Sequence, residues 1–106
     1  MVFIETDQFT KYLPGYLNDD QYAQLQAYLH VYPQAGLIIP GTGGVRKLRW
    51  AAGGKGKRGG VRIIYYWIVK DVQLLMLTLY KKGEVDDLTS DEKKALKRYV
   101  KDIVYG

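Results

Sequence analysis

The chain has 106 residues, of which 47% are hydrophobic and 25% charged, with a net charge of +5 and no cysteine. This length suits a single domain, residues 1–106, and the lack of cysteine excludes a disulfide framework and thiolate chemistry. The N-terminal MVFIETDQF lacks the basic start and apolar stretch of a signal peptide, and no apolar run approaches the roughly 20 residues that span a bilayer. These features favour a soluble, cytoplasmic protein.

The predicted elements of the N-terminal half are a strand and two helices. The apolar start Val2–Glu5 predicts a strand, and residues 8–17 predict a first helix weakened by a proline. Asn18 and Gln21 have capping-box spacing for a second helix, which Pro33 closes. Its apolar residues recur at helical spacing and form one stripe that should face a core: Tyr22, Leu25, Tyr28, Leu29 and Tyr32.

The C-terminal half predicts a meander of strands followed by a helix. Four extended segments are predicted, the last two rich in β-branched and aromatic residues: 37–39, 45–51, 61–69 and 73–80. The helix over residues 88–104 has Thr89 and Glu92 in capping-box spacing. The predicted fold is α+β, with a small antiparallel sheet of three to four strands. The N-terminal helices and the C-terminal helix are expected to pack against one face of it.

The charge of the chain is segregated along the sequence. Every acid lies at or before Asp20 or at or after Asp71, whereas residues 46–70 hold eight cations. A field of one sign favours a polyanionic partner, and nucleic acid is favoured over a membrane because no basic helix has a broad apolar face. The alternative is a glycine-rich basic loop that is merely solvated.

Strand alternation predicts where these cations meet. Lys47 and Arg49 share one face of their strand, and Arg62 can share it on the next strand. In the last strand an all-leucine face is expected to be core, so Thr78 and Tyr80 lie on an exposed or cleft face where the cations can converge. Arginine and lysine beside a tyrosine suit the binding of a phosphodiester. The candidate catalytic residues are Lys47, Arg49, Arg62, Tyr80, Lys81 and Lys82.

Several familiar motifs are excluded by their context. Residues 54–59 satisfy G-x-G-x-x-G, but a strand follows instead of a helix, and no Gly-Lys pair precedes Ser or Thr as in a P-loop. His30 is the only histidine, which excludes a two-histidine ribonuclease mechanism. The acids at 86–92 fit a loop and a helix N-terminus better than a two-metal nuclease site. No metal and no other cofactor is therefore expected.

The motifs GTGGVRKLRW, GKGKRGGVRIIYY, LTLYKKGE and DLTSDEKKAL, in this order, resemble the HigB-type toxins of the RelE superfamily over nearly the whole chain. Members of that family are small α+β toxins of bacterial toxin-antitoxin modules. Most are ribosome-dependent endoribonucleases that cut translated mRNA. The resemblance implies this activity, and it implies as partners mRNA on the ribosome and a cognate antitoxin of the helix-turn-helix type.

The resemblance also implies roles for individual cations. The arginine that the family carries in the strand after its basic loop falls on Arg62. The pair of basic residues on the preceding strand falls on Lys47 and Arg49, and the basic residue after the last strand falls on Lys81 or Lys82. These positions coincide with the candidate residues that strand alternation brings together.

The chain departs from the RelE pattern at one position. RelE toxins carry a further tyrosine after the last strand, where this chain has Asp, Asp and Leu at 86–88, so Tyr80 or Tyr66 would have to supply it. The expected reaction is attack of an RNA 2′-hydroxyl on the adjacent phosphate. Arg62 would neutralise the transition state, and Lys47, crowded by neighbouring cations, would act as the base.

The remaining cations of the central segment are expected to bind RNA without reading its sequence. A glycine-rich loop is expected to bind backbone phosphates through Lys55, Lys57 and Arg58. Arg46 and Lys70 are expected to be further RNA contacts. Two other functions stay open from sequence: a ParE-type inhibitor of DNA gyrase, which has the same fold, and a non-catalytic RNA-binding or ribosome-binding module.

Overall fold

A computed structural model of the chain describes residues 1–51, 60–70, 72–84 and 88–105. Within these ranges lie five strands and three α-helices, in the order β1 (Val2–Glu5), α1 (Asp7–Tyr12), α2 (Asp19–Val31), β2 (Leu37–Ile38), β3 (Arg46–Trp50), β4 (Val61–Ile68), β5 (Gln73–Lys81) and α3 (Ser90–Tyr105). A short 3-10 turn, Leu13–Gly15, follows α1. No described helix is long and apolar enough to cross a membrane.

The five strands form one mixed sheet in the order β1-β5-β4-β3-β2. The strands from β2 to β5 pair antiparallel with their neighbours, as the meander prediction requires. The first strand lies parallel to β5 at the edge, with Val2 opposite Gln73 and Glu5 opposite Met76. The prediction of three to four antiparallel strands is therefore corrected to five strands with one parallel edge. A parallel pair needs a long crossover, and here most of the chain connects the two strands.

Both predicted capping boxes are present and set where α2 and α3 begin. The Asn18 side chain accepts the backbone N–H of Gln21 at 2.8 Å, and the Gln21 side chain accepts that of Asn18 at 2.9 Å. Thr89 and Glu92 do the same for α3, at 3.1 and 2.9 Å. These bonds satisfy N–H groups that a helix leaves unpaired. The first helix is shorter than predicted and ends two residues before Pro14, which lies in the 3-10 turn.

Helices pack on both faces of the sheet, so the prediction that all of them share one face is wrong. On one face, called here the α1–α2 face, the helices meet a core of Phe9, Leu25, Leu29, Ile63, Tyr65, Leu74, Met76 and Leu79. On the other, the α3 face, the buried residues include Ile64, Leu75, Leu77, Tyr80 and Val100. A central strand buried on both faces has a nearly continuous apolar sequence, which is why β4 and β5 lack a polar face along most of their length.

A bulge in β5 decides which leucines share a face. Leu77 is the extra residue opposite the step from Ile64 to Tyr65, where the register shifts. One extra residue reverses the alternation of side chains beyond it. Leu75 therefore lies on the α3 face and Leu79 on the α1–α2 face, and the predicted all-leucine face is wrong for this reason.

Candidate nucleic-acid interface

Three neighbouring strands present a row of polar side chains on the α3 face, near one end of the sheet. Arg49 of β3 lies opposite Arg62 of β4, and Arg62 lies opposite Tyr80 of β5. Directly opposed residues project from the same face, with Cβ atoms about 4.5–5.5 Å apart. Lys47 projects from this face one row further along, opposite Ile64. We call the three opposed residues Arg49, Arg62 and Tyr80 the arginine row.

The two arginines of this row are like charges in direct opposition. Neither forms an ion pair with a carboxylate among the described residues, and residues 21–70 contain no acid at all. Like charges directly opposite in a sheet are destabilising, by up to about 1 kcal/mol. A folded sheet that keeps such a pair uncompensated has the charge arrangement of an anion-binding site.

Arg62 is buried, with 8% of its surface exposed. Its Nη1 donates to the Gly60 carbonyl at 3.1 Å. Every buried side-chain nitrogen or oxygen of the described residues has a hydrogen-bond partner. A guanidinium anchored at one nitrogen presents its remaining donors in a fixed direction that suits phosphate oxygens.

Tyr80 is the tyrosine that the structure places beside Arg62. It is 9% exposed and packs in the core of the α3 face with Ile64 and Val100. Tyr66, the alternative considered from sequence, lies four residues along β4 from Arg62, which is about 13 Å. Of the two tyrosines, Tyr80 is therefore the one that lies in the arginine row.

The two lysines at the end of β5 diverge. The Lys81 ammonium lies 5.8 Å from the ring centroid of Tyr16, which packs on the α1–α2 face. Lys81 is therefore directed away from Arg62. Lys82 is exposed and, by strand alternation, follows on the side of Tyr80. Of the two, Lys82 is the one on the face of the arginine row.

Two further cations expected to bind RNA lie away from the row. Arg46 projects from the α1–α2 face, where its Nη1 donates to the Gln34 carbonyl at 3.1 Å and the Gly36 carbonyl at 2.8 Å. These two hydrogen bonds attach the segment before β2 to β3. Lys70 is exposed in the turn after β4, eight residues or about 26 Å from Arg62. The predicted basic-loop residues lie outside the described residues: Lys55, Lys57 and Arg58.

The GTGG segment at 41–44 forms a tight loop before β3. Thr42 is fully buried, and its hydroxyl donates to the Ile39 carbonyl at 2.6 Å and accepts the Val45 N–H at 3.0 Å. The three glycines have φ of +83°, +75° and +113°, a region that favours glycine. A Cβ added at the second of them would lie 3.3 Å from the Lys97 side chain. The motif therefore holds β3 against α3.

His30 is exposed at the last turn of α2, the helix-end position expected for it. Among the residues that the structure describes, no three acids or histidines stand close enough together to hold a metal ion.

The architecture is an α+β plan that is broadly RelE-like, with an N-terminal helix and a C-terminal helix packed on a five-stranded mixed sheet. No family model matches the chain. The features that bear on function are therefore the chemistry of the arginine row and the sequence motifs that supply it.

Proposed function

We propose that the protein is the toxin of a toxin-antitoxin pair and cleaves mRNA on the ribosome, with the arginine row as its catalytic site. The observation that carries this proposal is the directly opposed pair Arg49 and Arg62, which lies beside Tyr80 and has no carboxylate partner among the described residues. The resemblance of the GTGGVRK and GKGKRGGVRIIYY motifs to HigB-type toxins supports the substrate class and implies an antitoxin as the second partner.

The reaction that suits this array is an internal transfer at phosphorus. The RNA 2′-oxygen forms a bond to the adjacent phosphorus and the bond to the 5′-oxygen breaks, which leaves a 2′,3′-cyclic phosphate and a free 5′-hydroxyl. Arg62 and Arg49 neutralise the charge that develops on the non-bridging oxygens. Lys47 accepts the proton of the 2′-hydroxyl. Lys82 or Tyr80, on the same face, returns a proton to the leaving oxygen.

The decisive variant is Arg62→Ala. Loss of one preorganised donor to a transition-state oxyanion typically lowers the rate by about 10²- to 10³-fold. We expect a loss of this size in mRNA cleavage in a translating extract, measured by primer extension on the message. The matched control is Lys11→Ala, which removes one exposed cation from α1 and should cleave as the wild type does. Arg62→Lys keeps the charge but removes the planar guanidinium. Its cleavage rate provides the test if the alanine variant fails to fold.

Two outcomes would replace this proposal. A folded Arg62→Ala protein that cleaves mRNA at the wild-type rate contradicts the assignment of the site. A wild-type protein that leaves mRNA intact but blocks supercoiling of a plasmid by gyrase is a ParE-type inhibitor instead, and one that binds RNA and leaves both substrates unchanged is a binding module.

A further inference from the structure

Three aromatic side chains form a partly exposed cluster on the α1–α2 face, opposite the arginine row. The ring centroids of Tyr28 and Tyr32 lie 5.2 Å apart, and those of Tyr28 and Trp50 lie 5.3 Å apart. Tyr28 is 38% exposed and Tyr32 is 50% exposed, whereas the side chains that seat α2 on the sheet, Leu25 and Leu29, are fully buried. We call Tyr28, Tyr32 and Trp50 the aromatic platform. Its outer ring, that of Tyr32, is not needed to close the core.

The aromatic platform and the arginine row meet at an open edge of the sheet. The short edge strand β2 pairs only with Arg46 and Lys47. Beyond Lys47, β3 is therefore the outermost strand among the described residues. Arg49 and Trp50 are consecutive there, so their side chains project from opposite faces of the same edge, with Cα atoms about 3.8 Å apart. A flexible single strand bound at Arg49 can pass over this edge and reach Trp50.

The charge around the platform favours a polyanion over a protein partner. The acids on α2 are Asp19 and Asp20 in its first turn, and Tyr28 lies eight residues beyond Asp20, about 12 Å along the helix axis. No acid occurs between Asp20 and Asp71, and the segment 52–59 that follows Trp50 in the sequence carries three cations. Exposed rings beside a cationic path are the combination that binds single-stranded nucleic acid.

We propose that the aromatic platform is a second RNA subsite, which stacks an unpaired base that flanks the phosphodiester held at the arginine row. Tyr32 and Trp50 supply the ring faces, and Tyr28, between them, supports both. The proposal rests on the proposed function for the identity of the substrate. It adds that binding depends on the presence of bases but tolerates any base, because every base has a face that can stack.

The test measures binding separately from cleavage. The probe is a fluorescently labelled RNA decamer with 2′-O-methyl groups, which lacks the attacking hydroxyl and stays intact, followed by fluorescence anisotropy. Tyr32→Ala should bind it about tenfold more weakly, the loss expected for one base-aromatic stack. Tyr32→Phe keeps the ring and should bind as the wild type does. Tyr105→Ala, which removes an exposed tyrosine from the end of α3 on the other face, is the matched control.

Two further measurements separate stacking from charge. The dependence of the dissociation constant on salt should be the same for Tyr32→Ala and the wild type, because the phosphate contacts remain. In a Trp67→Phe background Trp50 is the only tryptophan. Its fluorescence should be quenched by the decamer and not by an abasic decamer of the same length.

The proposed base-stacking role of the platform is refuted if a folded Tyr32→Ala protein binds the decamer with wild-type affinity. It is also refuted if an abasic decamer binds as tightly as the RNA. Either result would favour a protein partner on this face. These results are distinguishable from failure of the proposed function. A wild-type protein that cleaves mRNA with no effect of Tyr32→Ala on binding refutes the platform alone. One that binds the decamer through Tyr32 but never cleaves mRNA supports the platform and refutes the catalytic proposal.

Discussion

Gly36 lies where the surrounding side chains leave almost no room for a Cβ atom. Its N–H donates to the Tyr65 hydroxyl at 2.8 Å, and that hydroxyl donates to the Pro33 carbonyl at 2.7 Å. The Gly36 carbonyl accepts from Arg46 at 2.8 Å. Burial raises the pKa of the Tyr65 phenol, which keeps it protonated and able to donate. One small residue thus joins the end of α2 to β3 and β4.

The substitution Gly36→Ala should therefore be strongly destabilising. An added Cβ would lie 2.9 Å from the Tyr65 ring and hydroxyl and 3.1 Å from the Arg46 Cβ. Overpacking of this kind costs about 1–3 kcal/mol. Urea denaturation measures the change in the free energy of unfolding. Gly15→Ala is the control, since an added Cβ there meets nothing within 4 Å, and equal losses for the two variants would contradict the close packing at Gly36.

At the scale of elements, the connection after β5 is held by one carboxylate. Glu84 accepts the backbone N–H of Lys81 at 2.6 Å and the Tyr16 hydroxyl at 2.8 Å, both at Oε1. It therefore ties the end of β5 to the 3-10 turn that follows α1. The Lys81 N–H, and after it the Tyr16 hydroxyl, hold the pKa of Glu84 below its ordinary value of 4.5. The ionised form is the one that makes this connection.

The contribution of Glu84 to stability should depend on pH in a definite direction. Because its pKa is lower in the folded state, the contribution is fully present above the ordinary carboxyl value and is lost as pH falls through the lowered one. The difference in Tm between wild type and Glu84→Gln should be greatest near neutral pH and shrink in acid. Asp102→Asn, an exposed change on α3, is the control. A difference in Tm that stays constant as the pH falls would show that ionisation of Glu84 does not contribute to stability.

At the scale of the whole molecule, the arginine row places two like charges directly opposite each other. Both arginines of the row lie in an acid-free stretch, residues 21–70, that includes β2, β3 and β4. No carboxylate from the rest of the described fold compensates Arg49 or Arg62. Functional sites commonly break a local rule of stability in this way.

Arg49→Thr should therefore stabilise the fold while it weakens RNA binding. Relief of about 0.5 kcal/mol between opposed cations raises Tm by about 2–4 °C in a domain of this size. Added salt should narrow the difference in Tm, since salt screens the repulsion in the wild type. Lys47→Thr is the matched control, because Lys47 lies on the same strand opposite an isoleucine. A lower Tm for Arg49→Thr at low salt would show that the arginines do not repel each other.

Much of the local structure was predictable from the residues alone. Capping boxes at Asn18 and Thr89 and the apolar β4 and β5 depend on hydrogen bonds and patterns that span a few residues. The face shared by Lys47, Arg49 and Arg62 follows from alternation and the meander. None of these features needs a contact between distant parts of the chain.

The sequence by itself determined the elements, the meander and the cations that share a face, because those follow from short-range periodicity. Only the tertiary structure decided the features that depend on register and long-range contact. These are the parallel edge strand β1, the bulge at Leu77, the hydrogen bond from Arg46 to the Gly36 carbonyl, the position of Lys81 near Tyr16, and the ring contact of Tyr28 with Trp50. Their physical reason is the same: residues far apart in the chain become neighbours only when the strands pair in a defined register and the helices pack on them.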